Sequence, residues 1–159
     1  MILLSVGTQL HFDRLVRAVD GYLDNHSHIH VIAQVARSEY QPRNMRSQSF
    51  FDPAEYQRHF EAAQFIVGHA GMGTIIQSLL HGKPILIMPR QAALGEQRND
   101  HQLATAQHFS QRAGILVAQD EHEVPQRMDE LLSLQTSQAI GKYASAELLE
   151  YVRKFVNGG

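Results

Sequence analysis

The 159-residue chain contains no cysteine. Disulfides and thiolate metal sites are therefore excluded, and the composition fits a reducing compartment. No apolar run approaches the roughly 20 residues of a membrane-spanning helix. The opening MILLSVG lacks the basic start and long apolar core of a signal peptide, and reads instead as a strand. Neither charge sign dominates. The formal net charge is -2, so there is no overall basic field to attract nucleic acid. Repeats and low-complexity tracts are absent as well. What is present suits one domain: 43% of residues are hydrophobic and 19% charged, enough to bury a core.

The most informative stretch is 65–89, FIVGHAGMGTIIQSLLHGKPILIMP. Phe65-Ile66-Val67 is a short apolar run of the kind that forms a buried strand. The chain then turns through Gly68-His69-Ala70-Gly71-Met72-Gly73. A helix is predicted over 74–81, with Ile75, Ile76, Leu79 and Leu80 on one apolar face. Gly82 stops it and Pro84 forbids continuation. Ile85 to Met88 forms a second strand. Strand, glycine turn, helix and strand make a parallel unit with a right-handed crossover. Three glycines in six residues let backbone come close to a ligand. The helix N-terminus that follows offers free N–H groups and the positive end of a dipole, which suit a phosphate or diphosphate. A tight turn with no ligand fits the same glycines. The spacing is neither a Walker A pattern nor a clean dinucleotide fingerprint.

The N-terminus repeats this logic. Strand 2–6 leads into a second turn, Gly7-Thr8-Gln9, and then a helix over 13–23. Both turns are expected at the C-terminal edge of one parallel sheet, where open α/β folds bind ligands. A strand over 28–35 would set His26, His28 and His30 in alternation on one face. No acidic ligand accompanies them, so solvated histidines are expected rather than a metal site. Residues 37–49 read as a polar loop. Asp52 is a helix N-cap, with Pro53 at the first helical position and Glu55 three residues on. After the central unit, Arg90 and Arg98 suit phosphate. Asn99, Asp100, His101 and Gln102 suit a hydroxyl-rich ligand such as a sugar. A solvated loop and helix cap is the alternative. A helix from about 100, a strand over 114–117 and an amphipathic helix over 121–134 follow. Residues 137–157 carry apolar side chains at helical spacing, for packing on the sheet or docking a partner.

Taken together, His69-Ala70-Gly71-Met72-Gly73-Thr74, Gly82-Lys83-Pro84, Pro89 and Asn99-Asp100-His101-Gln102 resemble the glycosyltransferase family 28 C-terminal domain, the donor-binding half of GT-B glycosyltransferases. Ser5-Val6-Gly7-Thr8 matches too, and the resemblance covers about residues 1–120. It is to stand-alone versions: the small catalytic subunit of the eukaryotic dolichol-linked N-acetylglucosaminyltransferase, and the small subunit of bacterial exopolysaccharide glucuronosyltransferases. The resemblance implies a single UDP-sugar-binding domain over 1–159. Its fold would be a Rossmann-like parallel sheet with helices on both faces. Gly7, Thr8, Gly71, Met72, Gly73 and Thr74 would hold the diphosphate. Phe51 would lie near the uracil, and Asn99, Asp100, His101 and Gln102 would touch the sugar. Gln77 stands where many relatives carry a glutamate that binds the ribose hydroxyls. An amide has one acceptor oxygen and no charge, so it binds ribose less strongly.

The implied activity is inverting transfer from a UDP-sugar to a lipid-linked saccharide, with the UDP-sugar as substrate and no metal or other cofactor. Arg90 and Arg98 are candidates for stabilising the leaving diphosphate. His69 and His11 are candidates for the base, which the family often supplies from its other half. That half, a membrane-associated acceptor-binding subunit, would recruit this cytoplasmic chain and dock its C-terminal helix. A non-catalytic nucleotide-sugar-binding module, or a small hydrolase acting as a homodimer, are the alternatives.

Overall fold

The computed structural model describes residues 1–134. Six strands form one sheet: β1 (Ile2–Ser5), β2 (Val31–Gln34), β3 (Arg46–Gln48), β4 (Phe65–His69), β5 (Ile85–Met88) and β6 (Ile115–Val117). Their order is β3-β2-β1-β4-β5-β6, and every neighbouring pair is parallel. The helices are α1 (Asp13–Leu23), α2 (Pro53–Ala62), α3 (Met72–Leu80), α4 (His101–Phe109) and α5 (Val124–Ser133). The apolar 137–157 segment expected to be helical lies outside the described residues.

Both faces of the sheet are covered, so its central strands read as unbroken apolar runs. Alternation sorts them. Ile2, Leu4, Val67, Leu86 and Met88 face α1 and α5, packing on Leu15, Val19, Val124 and Met128. Leu3, Ile66, Ile85 and Ile87 face α2, α3 and α4, packing on Phe60, Ile75, Leu79 and Phe109. At α2 the expected cap forms: the Asp52 side chain accepts from the Glu55 amide at 2.8 Å. Lys83 donates to the Glu61 and Ala63 carbonyls at the other end of that helix.

Three expectations are corrected. The strand expected over 28–35 begins only at Val31, so the three histidines do not alternate along it. His26 stacks on Tyr22 at 3.9 Å between ring centroids, while His28 and His30 are exposed. Among the described residues no group of three His, Asp or Glu could hold a metal ion. Next, Leu80 is 51% exposed, because α3 buries only Ile75, Ser78 and Leu79. Last, the 37–49 loop contains β3, a strand of Arg-Ser-Gln with no apolar pattern, paired to β2 in register Ile32↔Arg46.

The loop before β3 is anchored by Asp20 of α1, which is buried. Its carboxylate accepts from the Tyr40 hydroxyl at 2.6 Å and from the Arg43 and Asn44 amides. Burial alone would raise the Asp20 pKa, but the bonds from Tyr40, Asn44 and Arg43 outweigh it and hold the carboxyl below its ordinary value. A folded pKa below the unfolded one stabilises the fold above the unfolded value, and that contribution fades as pH falls through the folded value. Asp20→Asn is expected to cost about 2 kcal/mol at neutral pH, the usual scale for hydrogen bonds to a charged group. Denaturant melts should show that difference shrinking below about pH 4, where the wild-type carboxylate takes up its proton.

Candidate functional site

β1 and β4 are neighbours, paired Ser5↔Gly68. The chain leaves β1 toward β2 and leaves β4 toward β5. The strand order therefore reverses between them and opens a crevice at their C-terminal ends. A cleft of about 270 Å³ lies there. One wall is the 6–10 turn. The opposite wall is His69, Gly71, Gly73 and Thr74, with Arg90, Gln97 and Gln102 closing it from the loop after β5.

The two glycine turns face each other across the His69 imidazole. Gly7 has φ +84°, the left-handed region that favours glycine, and a Cβ there would lie 3.0 Å from His69 Cε1. A Cβ on Gly71 would lie 2.2 Å from His69 Nε2. The ring thus occupies space that only two glycines leave. Its Nδ1 is buried without a hydrogen bond of good geometry. Burial, then the Arg90 charge, push the His69 pKa down to about 4, against a partial pull upward from the Ser5 backbone. The ring is neutral at physiological pH and a weak proton acceptor. His11 is exposed and stands outside the cleft walls.

Arg90 is 3% exposed. Its Nη2 donates to the Val6 carbonyl at 2.6 Å and to the Leu10 carbonyl at 2.7 Å, and Nη1 donates to the Glu96 carbonyl at 3.3 Å. Its backbone amide donates to Gln102 Oε1 at 3.1 Å. Burial lowers its pKa and Glu96 offsets this in part, which leaves a guanidinium charged at any ordinary pH. Behind it, Arg14 of α1 grips Glu96 with two bonds of 2.9 Å and Glu121 at 2.8 Å. This bidentate pair fixes the 90–97 loop against α1. Gln34 ties the other side: Nε2 donates to the Gly7 carbonyl at 3.2 Å, and Oε1 accepts from the Phe51 amide at 3.0 Å.

The remaining sequence-derived candidates separate into groups. Gly7, Thr8, Gly71, Gly73, Thr74, His69, Arg90 and Gln102 are brought together around the cleft. Met72 packs partly buried against the core beneath α3. Phe51 is buried beside His59, ring centroids 4.8 Å apart, and Gln77 donates to Gln57 Oε1 at 3.3 Å; both stand outside the cleft walls. Arg98, Asn99, Asp100 and His101 are exposed on the loop and the first turn of α4. Asp100 Oδ1 accepts from the Ala92 amide at 2.9 Å and closes that loop. Of the four Asn99–Gln102 candidates, Gln102 alone lines the cleft. Gln9, Leu10 and Gln97 also line it and were not singled out from the sequence. Gln9 and Leu10 simply continue the Gly7-Thr8 turn, and their signal was proximity to it.

An all-parallel sheet in this order, with a glycine-walled cleft at its switch point, is the architecture of a Rossmann-like nucleotide-binding domain. More narrowly, the chain belongs to the glycosyltransferase family 28 C-terminal domain family, whose model matches residues 1–150. The UDP-N-acetylglucosamine transferase subunit ALG13 of Mus musculus is 29% identical over 116 residues, 67% of this chain and 10% of that protein. Among solved structures, Os79 from O. sativa in complex with UDP is 15% identical at a TM-score of 0.64, covering 99% of this chain and 40% of that one. The glycotransferase of kitacinnamycin is 20% identical at a TM-score of 0.57, covering 98% and 39%. The fold is thus that of one half of a GT-B glycosyltransferase. The chain spans well under half the length of each of these proteins.

Proposed function

We propose that this chain is the donor-binding subunit of an inverting glycosyltransferase, holding the diphosphate of a UDP-sugar between its two glycine turns. The observation that carries the reading is the pair of turns, Gly7 and Gly71, facing each other across one cleft at the switch point of the sheet. Backbone N–H groups, the α3 dipole and the Arg90 charge all favour an anion there. Family membership and the UDP-bound likeness of Os79 support the same donor class.

In the proposed reaction an acceptor hydroxyl attacks the anomeric carbon and loses its proton to a base, while the UDP diphosphate leaves with the bonding electron pair. Charge grows on the leaving oxygens, and fixed donors in the cleft stabilise it without a metal. Arg90 supplies fixed charge beside the cleft, and Arg98 lies on the exposed loop that could close over the sugar. The weak basicity of His69 favours a base from another subunit.

The described residues form one half of a GT-B fold. A membrane-associated partner subunit carrying a lipid-linked saccharide is proposed to complete the site, by likeness to the ALG13 subunit. Among the described residues no helix is long and apolar enough to cross a membrane. Recruitment to a membrane is proposed to fall to that partner, by the same likeness. Exopolysaccharide or cell-surface glycan synthesis is the proposed setting. Calorimetric titration with UMP, UDP and a panel of UDP-sugars tests the donor reading. UDP should bind at least tenfold more tightly than UMP. Equal affinities would remove the diphosphate from the cleft. UDP binding without transfer in the presence of the partner would favour a non-catalytic module.

A further inference from the structure

Three carbonyl groups of the 6–10 turn, those of Val6, Gly7 and Leu10, are already occupied. Arg90 Nη2 takes those of Val6 and Leu10, and Gln34 Nε2 takes that of Gly7. On the facing wall the His69 carbonyl accepts from the Gly71 amide at 2.8 Å. The amides are in the opposite condition. Among the described residues, the N–H groups of Gly7, Thr8, Gln9 and Leu10 donate to nothing. Those of Met72, Gly73 and Thr74, the first turn of α3, are equally free, as helix geometry requires. Successive backbone N–H groups left unpaired in a turn can form an anion-binding nest.

We propose that Arg90 and Gln34 are positioning residues that build this nest: they draw the carbonyls of Val6, Gly7 and Leu10 away and leave the N–H groups of the turn for an anionic ligand. Arg90 then serves as a planar fork rather than as a point charge on the ligand. Both hydrogens of Nη2 are engaged by two carbonyls, and Nη1 reaches a third. Gln34 is 3% exposed and does the same neutral work from the β2 side. The Arg14–Glu96–Glu121 network holds the loop from which Arg90 projects. The proposal rests on the diphosphate reading of the cleft and assigns the donors within it.

A lysine keeps the charge but not the fork. Arg90→Lys, which keeps the charge, should therefore still weaken UDP binding at least tenfold, and Arg90→Met at least as much, in calorimetry on variants whose circular dichroism matches wild type. Wild-type affinity in either variant overturns the proposal. A second measurement needs no variant. In a ¹⁵N NMR titration of the wild-type chain with inorganic pyrophosphate and with UDP, the amide signals of Gly7, Thr8 and Gln9 should shift together with those of Met72, Gly73 and Thr74. The Arg90 Nε–H signal should move least. A large Nε–H shift with unmoved turn amides would make Arg90 a direct ligand and overturn the proposal. If UDP and pyrophosphate move no signal of the cleft, the diphosphate reading itself fails and takes the nest with it.

Discussion

Gly71→Ala is expected to reduce UDP affinity at least a hundredfold. Gly71 has ordinary backbone angles, φ -88° and ψ 131°, so no strain forbids a side chain. The obstacle is the His69 imidazole, whose Nε2 would stand 2.2 Å and Cδ2 2.8 Å from the new methyl. On its other side the ring faces the Gly7 turn, where an added Cβ would stand 3.0 Å from Cε1. Either the ring leaves its slot or α3 shifts at its first turn. A shift of α3 moves its free first-turn amides, and a displaced ring intrudes on the cleft that it borders. Overpacking of this kind costs about 1–3 kcal/mol of stability. A double-mutant cycle isolates the cause. Adding His69→Ala to Gly71→Ala should recover most of that stability, since the clash goes with the ring. A double variant no more stable than Gly71→Ala would show that the imidazole is not the obstacle.

The neutrality of His69 has a consequence of its own. A ring held uncharged adds no field to the cleft. Its folded pKa of about 4 lies below the ordinary 6.5. Between those values the unfolded chain binds the extra proton, and stability falls as pH drops through that window. His69 and Asp20 therefore weaken the fold in sequence on acidification, the histidine first.

Much of this was legible in the residues. The α1 boundaries, 13–23, and the β5 boundaries, 85–88, fell where periodicity placed them. Both glycine turns lie at the sheet edge expected for them, because strand-turn-helix order and right-handed crossovers leave little choice. Strand β3 was not legible. Arg46, Ser47 and Gln48 carry no apolar alternation; β2 and the Asp20 clamp, 26 residues upstream of Arg46, make them a strand. The loop after β5 was only half legible. Its density of polar side chains marked a functional region, but not which of them turn inward. Glu96 and Gln102 are buried by long-range partners, Arg14 and the Arg90 amide, while Arg98 to His101 stay exposed. Pairings across many residues of chain leave no local pattern to read. For the same reason the carbonyl partners of Arg90, at Val6 and Leu10, left no mark in the sequence.

Gly68→Ala should be the most destabilising single-methyl change at the site, by about 3 kcal/mol, at the upper end of overpacking costs. Gly68 lies inside β4, between Ser5 of β1 and Ile87 of β5. A Cβ there would approach the Ser5 carbonyl oxygen to 2.7 Å. Gly71 meets the end of a side chain, but Gly68 meets backbone that is itself paired in the centre of the sheet. Relief requires β1 and β4 to part at the point where both glycine turns begin. The change should therefore lower Tm by about 10 °C for a domain of this size, and weaken UDP binding in whatever fraction stays folded. Gly21→Ala is the control. Gly21 lies in α1, exposed, with nothing within 4 Å of an added Cβ. Alanine there should raise stability by about 0.5–1 kcal/mol through helix propensity. Calorimetric melts of the two variants should move in opposite directions. A Gly68→Ala protein that melts with wild type would mean that β1 and β4 are held less tightly than their register implies, and that the cleft between their ends is correspondingly free to widen.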